Sequence, residues 1–233
     1  MKRVGRVLLL CALAVIVLIG MGGCRDNQQD VNTIAIKRME KKYGEKFTYS
    51  QPWGNSLSGT RRFLVTCDSL PGKQVLVEIE NYREEDKIFR DNYLAVKYED
   101  ETVAFFKGFV DQVFGESVAF YTAAYKGLSP ELTADASLED FLADSRSLIT
   151  VRIAIKESKY TSKEQLNVVA DSIVSVCNAD SIGVIIMVVK DDRYDGLDKD
   201  AFGDYVVFRD FVHCIRVQRE DGEDLLIEWL GEE

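Results

Sequence analysis

A cysteine close behind an apolar N-terminal segment has the clearest potential for chemistry in this chain. Three basic residues lie among the first six, and the 15 residues Val7–Met21 carry no charge. This length matches the apolar region of an export signal and falls short of the about 20 residues that span a bilayer. Two glycines separate the apolar segment from Cys24, and small residues there are typical of a signal cleavage site.

The Gly22-Gly23-Cys24 step resembles the lipobox of bacterial lipoproteins. In that family the cysteine is diacylated at sulfur and becomes the mature N-terminus after cleavage. The resemblance implies that residues 1–23 are a signal peptide, that Cys24 is a lipidation site and that the protein lies on the extracytoplasmic face of the cell membrane. The alternative is an uncleaved signal anchor in which Cys24 is an ordinary thiol. The polar, charged residues 25–30 favour cleavage and predict a tether over 24–30.

His213 and Cys214 pair the single histidine of the chain with a thiol, which is the composition of a Cys–His nucleophile. Adjacent strand residues lie on opposite faces, so these two are not expected to form a dyad. His213 is predicted to share a core or interface face with Phe211, Ile215 and Val217; contact with Cys67 or Cys177 through the fold stays open. Serine-hydrolase, zinc-hydrolase and phosphate-loop motifs are absent from the sequence, and we predict no catalytic residues and no cofactor.

The acidic stretch 191–200, with Asp204 beyond it, contains the oxygen ligands that calcium prefers. Counted as an EF-hand from Asp191, it has Arg193 at the third position and Phe202 where the bidentate glutamate belongs. The spacing therefore favours a solvated loop between strands, and we assign no metal ligands. A second polar loop, 51–59, carries Trp53; it is the most plausible recognition element, although a tryptophan folded back over a sheet is the simpler interpretation.

The composition limits the partners. Residues 24–233 carry 26 basic and 39 acidic side chains, a net charge of −13. Such a body disfavours nucleic acid and anionic lipid, so attachment to the membrane is expected to rest on acyl chains. Cys67, Cys177 and Cys214 each lie in an apolar pattern and are predicted to be buried thiols, with one disulfide as the alternative.

Hydrophobic periodicity predicts the elements that position these residues. The first part should contain a helix at 30–43, strands at 47–50, 63–67 and 75–79, a long helix at 91–114 capped by Asp91, and a strand at 117–124. The second should contain a helix at 138–144, a strand at 149–155, a helix beginning with the capping box Thr161–Glu164, a central strand at 183–189, and strands at 204–208, 211–218 and 225–230. The inward stripe of the long helix is predicted to be Leu94, Tyr98, Thr102, Phe105, Phe109 and Val113.

This order predicts an α+β fold with a mostly antiparallel sheet and a few packed helices. We divide it into an N-terminal half at 31–124, a boundary loop at 125–136 and a C-terminal half at 137–233. A duplication that relates the two halves is an open alternative. Residues 33–48, with the phrase Lys-Tyr-Gly-Glu-Lys-Phe, and the step Phe89-Arg-Asp-Asn-Tyr93 resemble uncharacterised lipoproteins of Gram-positive bacteria. That resemblance spans about residues 1–115 and implies location and fold, but no activity.

The expected function is therefore that of a membrane-anchored lipoprotein of the cell envelope with a non-catalytic binding domain. Its partner would be another envelope protein or an extracellular ligand. The alternative is an envelope enzyme or a calcium-binding module that uses the acidic residues.

Overall fold

Two β-sheets organise the chain in the computed structural model, which describes residues 25–55, 59–85, 87–123, 132–144, 148–176, 181–197, 211–219, 224 and 226–230. The first sheet is antiparallel throughout, in the order β1 (Phe47–Asn55), β2 (Arg61–Cys67), β3 (Val75–Glu80) and β4 (Ile88–Asp91). The second has the order β5 (Val118–Ala123), β6 (Leu148–Lys156), β7 (Ser181–Val189), β8 (His213–Arg219) and β9 (Leu226–Leu230), and only β6 and β7 are parallel. The predicted α+β class is confirmed.

The helices of the described residues are α1 (Arg25–Tyr43), α2 (Tyr93–Lys97), α3 (Glu99–Phe114), α4 (Leu138–Ala143), α5 (Lys163–Val176) and the single turn α6 (Asp191–Tyr194). None of these helices is both long and apolar enough to cross a membrane. The signal peptide, Cys24, Cys177, the strand predicted at 204–208 and most of the boundary loop lie outside the described residues.

Helix α1 differs from the prediction at its start. It begins at Arg25, so the backbone of residues 25–30, predicted as a tether, is helical. Further along, Ala35, Met39 and Tyr43 recur every four residues and are buried in the core, as the periodicity predicts. The helix stops before Gly44, whose φ of 71° suits glycine because it lacks a Cβ.

Strands β2 and β3 form a hairpin, as the turn residues 69–73 between them predict, with Phe63 paired to Val77. The alternation of residues along β3 predicts a strand buried on one face alone, and this is wrong, because Leu76 and Glu78 are buried as well. Glu78 tolerates burial since arginines on both neighbouring strands lie beside it.

The predicted helix 91–114 is two helices, and the strand β4 before them was missed. Tyr98 interrupts the helix, and its hydroxyl donates a hydrogen bond to the carbonyl of Ala136. Lys97 Nζ donates to the carbonyl of Ala134 at 2.5 Å, so the segment 134–136 docks at the interruption. Asp91 is therefore not a helix cap; it is the last residue of β4.

The inward face of α3 is also rotated from the predicted stripe. The buried residues follow strict four-residue spacing (Thr102, Phe106, Val110, Phe114), whereas Phe105, Phe109 and Val113 are half-buried. The predicted stripe steps by three residues from Thr102 to Phe105, whereas the buried residues step by four. From Phe105 onward the predicted stripe therefore lies on the flank of the helix. There Phe105 packs edge-on against Phe106, with ring centroids 5.1 Å apart.

Strand β5, which the prediction placed in the N-terminal half, pairs with β6 in the second sheet. The division between the sheets thus falls between β4 and β5, where α2 and α3 connect them. Helix α5 supplies the crossover that the parallel β6–β7 pair requires, and β7 is the central strand that its apolar sequence predicts. A continuous core cluster extends from α1 to β8, so both sheets share it.

Candidate functional site

A groove with a volume of about 550 Å³ lies between α1 and the β4 side of the first sheet. Its apolar lining comes from Ala35 and Met39 of α1, Val77 of β3 and Phe89 of β4. Its charged lining consists of four cations and one carboxylate: Arg38, Lys41, Lys42, Arg90 and Asp91. A chain with a net charge of −10 thus concentrates positive charge at one cavity, which we call the basic groove.

The four cations differ in their partners. Lys42 Nζ lies 3.6 Å from Asp91 Oδ2, and Arg90 lies 2.8 Å from Glu80 Oε1. Arg38 instead places its guanidinium carbon 4.3 Å from the centre of the Phe89 ring, a cation–π contact. No carboxylate among the described residues forms an ion pair with Arg38 or Lys41. Two positive charges at the groove are therefore left without a counter-ion in this part of the chain.

Asp91 fixes one wall of the groove. Its Oδ1 accepts a hydrogen bond from Tyr43 Oη at 2.6 Å and another from the Tyr93 N–H at 3.0 Å. With Lys42 on the other oxygen, the carboxylate joins α1, β4 and α2 at one point. Burial and the negative charge of Asp91 raise the pKa of the Tyr43 phenol above its ordinary value.

Glu78 is a second buried carboxylate that links neighbouring elements, in this case three strands of the sheet. Its Oε2 lies 2.5 Å from Arg62 Nε on β2, and its Oε1 lies 3.8 Å from Arg90 on β4. Both arginines are its direct cross-strand partners, so the three side chains form a row across the sheet. This row positions Arg90 at the groove.

Replacing Tyr43 with phenylalanine should lower the free energy of unfolding by about 1–2 kcal/mol near pH 7, because Asp91 loses one buried hydrogen bond. The substitution should also change the alkaline pH dependence. In the unfolded chain the phenol ionises near pH 10, whereas the folded pKa of Tyr43 is raised, so wild-type stability falls as the pH rises above about 10. Without Tyr43 this fall should be shallower by up to about 1.4 kcal/mol per pH unit.

Urea unfolding at several pH values between neutral and strongly alkaline measures both effects. Tyr49→Phe is the matched control, since Tyr49 is 41% exposed on β1. Identical alkaline slopes for the wild type and Tyr43→Phe would contradict the assignment.

His213 and Cys214 lie on opposite faces of β8, as predicted. Cys214 packs in a small cluster with Met187 and Tyr194, whereas the next residue, Ile215, belongs to the main core. The His213 ring contacts Tyr160, with centroids 4.6 Å apart. Burial raises the pKa of Cys214 to about 12, which leaves the thiol protonated and unreactive at neutral pH. One detail differs: Phe211 packs on the Cys214 side.

The remaining cysteine in the described residues, Cys67, is a buried free thiol on β2. Its sulfur lies 3.5 Å from Ser69 Oγ, and burial raises its pKa. Cys67 and Cys214 are thus buried free thiols, as the apolar patterns predict.

The acidic stretch contributes structural contacts in its described part. Asp191 Oδ1 accepts a hydrogen bond from the Ser158 N–H at 3.0 Å, and Asp195 Oδ1 lies 2.9 Å from Lys156 Nζ. Asp191–Tyr194 form a helical turn where the prediction has a loop. Within the described residues, no group of three or more His, Cys, Asp or Glu side chains could hold a metal ion.

Trp53 lies on a strand, not in a loop as predicted. Strand β1 extends to Asn55, and Trp53 is 57% exposed, so it is not folded back over the sheet. Strand β1 is an edge of its sheet, and register shifts on either side of Pro52 interrupt its pairing with β2. Such irregularities and proline are common protections against edge-to-edge association.

Sequence reasoning missed the basic groove. One signal was available: four of the six residues 37–42 are basic, in the order Lys-Arg-Met-Glu-Lys-Lys, which is unusual for so acidic a chain. The other wall has no such signal, because the sequence at Phe89-Arg-Asp91 predicts the approach to a helix where the structure has a strand.

The chain has a distant structural neighbour. A crystal structure of a DUF5037 family protein from Ruminococcus gnavus ATCC 29149 is similar with a TM-score of 0.42 and 11% sequence identity, over 82% of this chain and 92% of that one. No family model matches the chain, and no curated protein matches it.

Proposed function

We propose that this protein is a cell-envelope lipoprotein, held on the extracytoplasmic face of the membrane by a diacylglyceryl group on Cys24. Its α+β domain serves as a non-catalytic binding module for an envelope protein or an extracellular ligand. The observation that carries the proposal is the N-terminal sequence, in which a basic start and an uncharged 15-residue segment lead to Gly22-Gly23-Cys24.

The physical chemistry of the two parts supports this combination. Two acyl chains hold a protein stably at the membrane, at about 0.8 kcal/mol for each buried methylene. A domain with 39 acidic residues has no net electrostatic attraction to anionic lipid, so the acyl chains must supply the attachment.

Binding is favoured over catalysis by the surroundings of the candidate groups. Cys214 is separated from His213 by the sheet, and the carboxylates of Asp191 and Asp195 are engaged by Ser158 and Lys156. The basic groove is the described feature best suited to a ligand, since pockets of about 300–1,000 Å³ accommodate small molecules.

Intact mass measurement of the protein extracted from bacterial membranes tests the anchor. The proposal expects a mature chain that begins at Cys24 and carries the added mass of a diacylglyceryl group. A chain that retains residues 1–23, or one that begins elsewhere without lipid, would overturn it.

A further inference from the structure

We infer that the basic groove binds a small organic anion, one that joins a phosphate or carboxylate group to an apolar part. The inference deepens the proposed binding function and rests on it. Arg38 and Lys41 would bind the anionic group, and the apolar lining would contact the rest of the molecule.

The charge distribution points to an anion. The acidic residues of this chain outnumber the basic ones by ten, yet the charged lining of the groove has four cations and one carboxylate. Asp91 and Glu80 compensate Lys42 and Arg90. Arg38 and Lys41 have no such partner among the described residues, so an incoming anion need not displace a carboxylate from them.

The position of Arg38 suits it to this role. Its guanidinium lies over the face of Phe89, and a stacked guanidinium can still donate hydrogen bonds from its edge. A planar fork of N–H groups matches the oxygens of phosphate and carboxylate. The ring contact therefore restrains the side chain before the ligand arrives, which lowers the entropic cost of binding.

Buried carboxylates hold the surrounding wall in place. Asp91 ties α1 to β4 through Tyr43 and Lys42, and Glu78 holds Arg90 from the neighbouring strand. A groove whose walls are held by such ion pairs and hydrogen bonds keeps its geometry when empty.

The apolar lining sets the second requirement. Ala35, Met39 and Val77 are at most 4% exposed, and they present hydrocarbon beside the charged residues. An inorganic anion would leave this lining unused. An anion with an aromatic or alkyl group would remove its own apolar surface from water by packing against this lining and the half-buried Phe89, which the hydrophobic effect favours.

Isothermal titration calorimetry on the full chain in phosphatidylcholine nanodiscs tests the inference. The probes are phenyl phosphate, inorganic phosphate, which lacks the apolar part, and phenol, which lacks the charge. Phenyl phosphate should bind at one site and more tightly than either of the others. Arg38→Gln and Lys41→Gln should each weaken it by about ten- to a hundredfold, the loss expected for a charge-assisted hydrogen bond.

Arg83→Gln is the matched control. Arg83 is exposed and lies over the ring of Tyr82 at 5.2 Å, but it does not line the groove, so its replacement should leave the affinity unchanged. The thermal midpoints of all variants, measured without probe, show whether each remains folded.

A second set of nanodiscs that contain phosphatidylglycerol distinguishes the source of the anion. Unchanged affinity for phenyl phosphate assigns the groove to a soluble anion, and reduced affinity assigns it to a lipid headgroup. Both results uphold the anion site. The inference is wrong if phenyl phosphate gives no saturable heat, or if folded Arg38→Gln and Lys41→Gln proteins bind it as the wild type does. Because the anchor is measured separately by mass, such a failure would leave the lipoprotein assignment intact.

Discussion

Replacing Cys24 with alanine is expected to abolish the lipid modification of the protein. Alanine has no sulfur to accept the diacylglyceryl group, so the chain should be released unmodified or should persist as a precursor that retains residues 1–23. A cleaved chain without lipid should not stay at the membrane, because residues 24–233 carry a net charge of −13 and anionic lipid repels such a surface. Membrane fractionation with immunoblotting, together with metabolic labelling by palmitate, measures the effect.

Cys67→Ala is the control for this experiment. Cys67 is a buried free thiol on β2, and its loss should leave labelling and fractionation unchanged even if it lowers stability. A Cys24→Ala protein that is still lipidated and processed as before would refute the lipoprotein assignment.

Replacing Phe106 with alanine should lower the free energy of unfolding by about 3–5 kcal/mol, the largest change in stability that we predict. Phe106 is fully buried on α3, in the core shared by both sheets. Truncating it removes apolar contacts and leaves a cavity that its neighbours cannot fill completely. Since the free energy of unfolding of a domain is about 5–15 kcal/mol in total, a loss of this size would leave the fold marginally stable.

Phe105→Ala gives a direct comparison. Phe105 is adjacent in sequence and equal in size, but it is half-buried on the flank of the helix. Chemical denaturation of both variants should show a loss for Phe105→Ala of less than half that for Phe106→Ala. Equal losses would show that the four-residue spacing of the buried ridge on α3 is assigned incorrectly.

Much of the secondary structure could be predicted, because each prediction rested on local pattern. The alternation around Val151 in β6, the apolar run of β7 and the hairpin of β2 and β3 all have signals that a few neighbouring residues carry. Ser137 is a further example, since its capping box with Asp140 is complete within four residues. In such elements the local preference of the sequence agrees with the final fold.

The failures of prediction arose where distant residues decide the outcome. Aspartate is a common helix cap, but Asp91 is the last residue of a strand instead. The hydroxyl of Tyr43, 48 residues earlier, donates a hydrogen bond to its carboxylate. Glu78 alternates with valines as an exposed residue would, yet arginines on two other strands allow its burial. Strand β5 could join either sheet by its own sequence, and pairing with β6 settled the choice.

The sequence by itself determined the α+β class, most of the elements and the prediction of a lipid anchor at Cys24, because these depend on composition and short-range order. Tertiary structure decided where the positive charge of an acidic protein gathers. Arg38 and Lys41 come from α1 and Phe89 from β4, about 50 residues apart, and neither segment alone forms a groove. Packing of α1 against the sheet brings Arg38 and Lys41 beside an apolar lining, while buried Asp91 and Glu78 hold the neighbouring cations in place. Such an arrangement depends on long-range contacts, which periodicity does not encode.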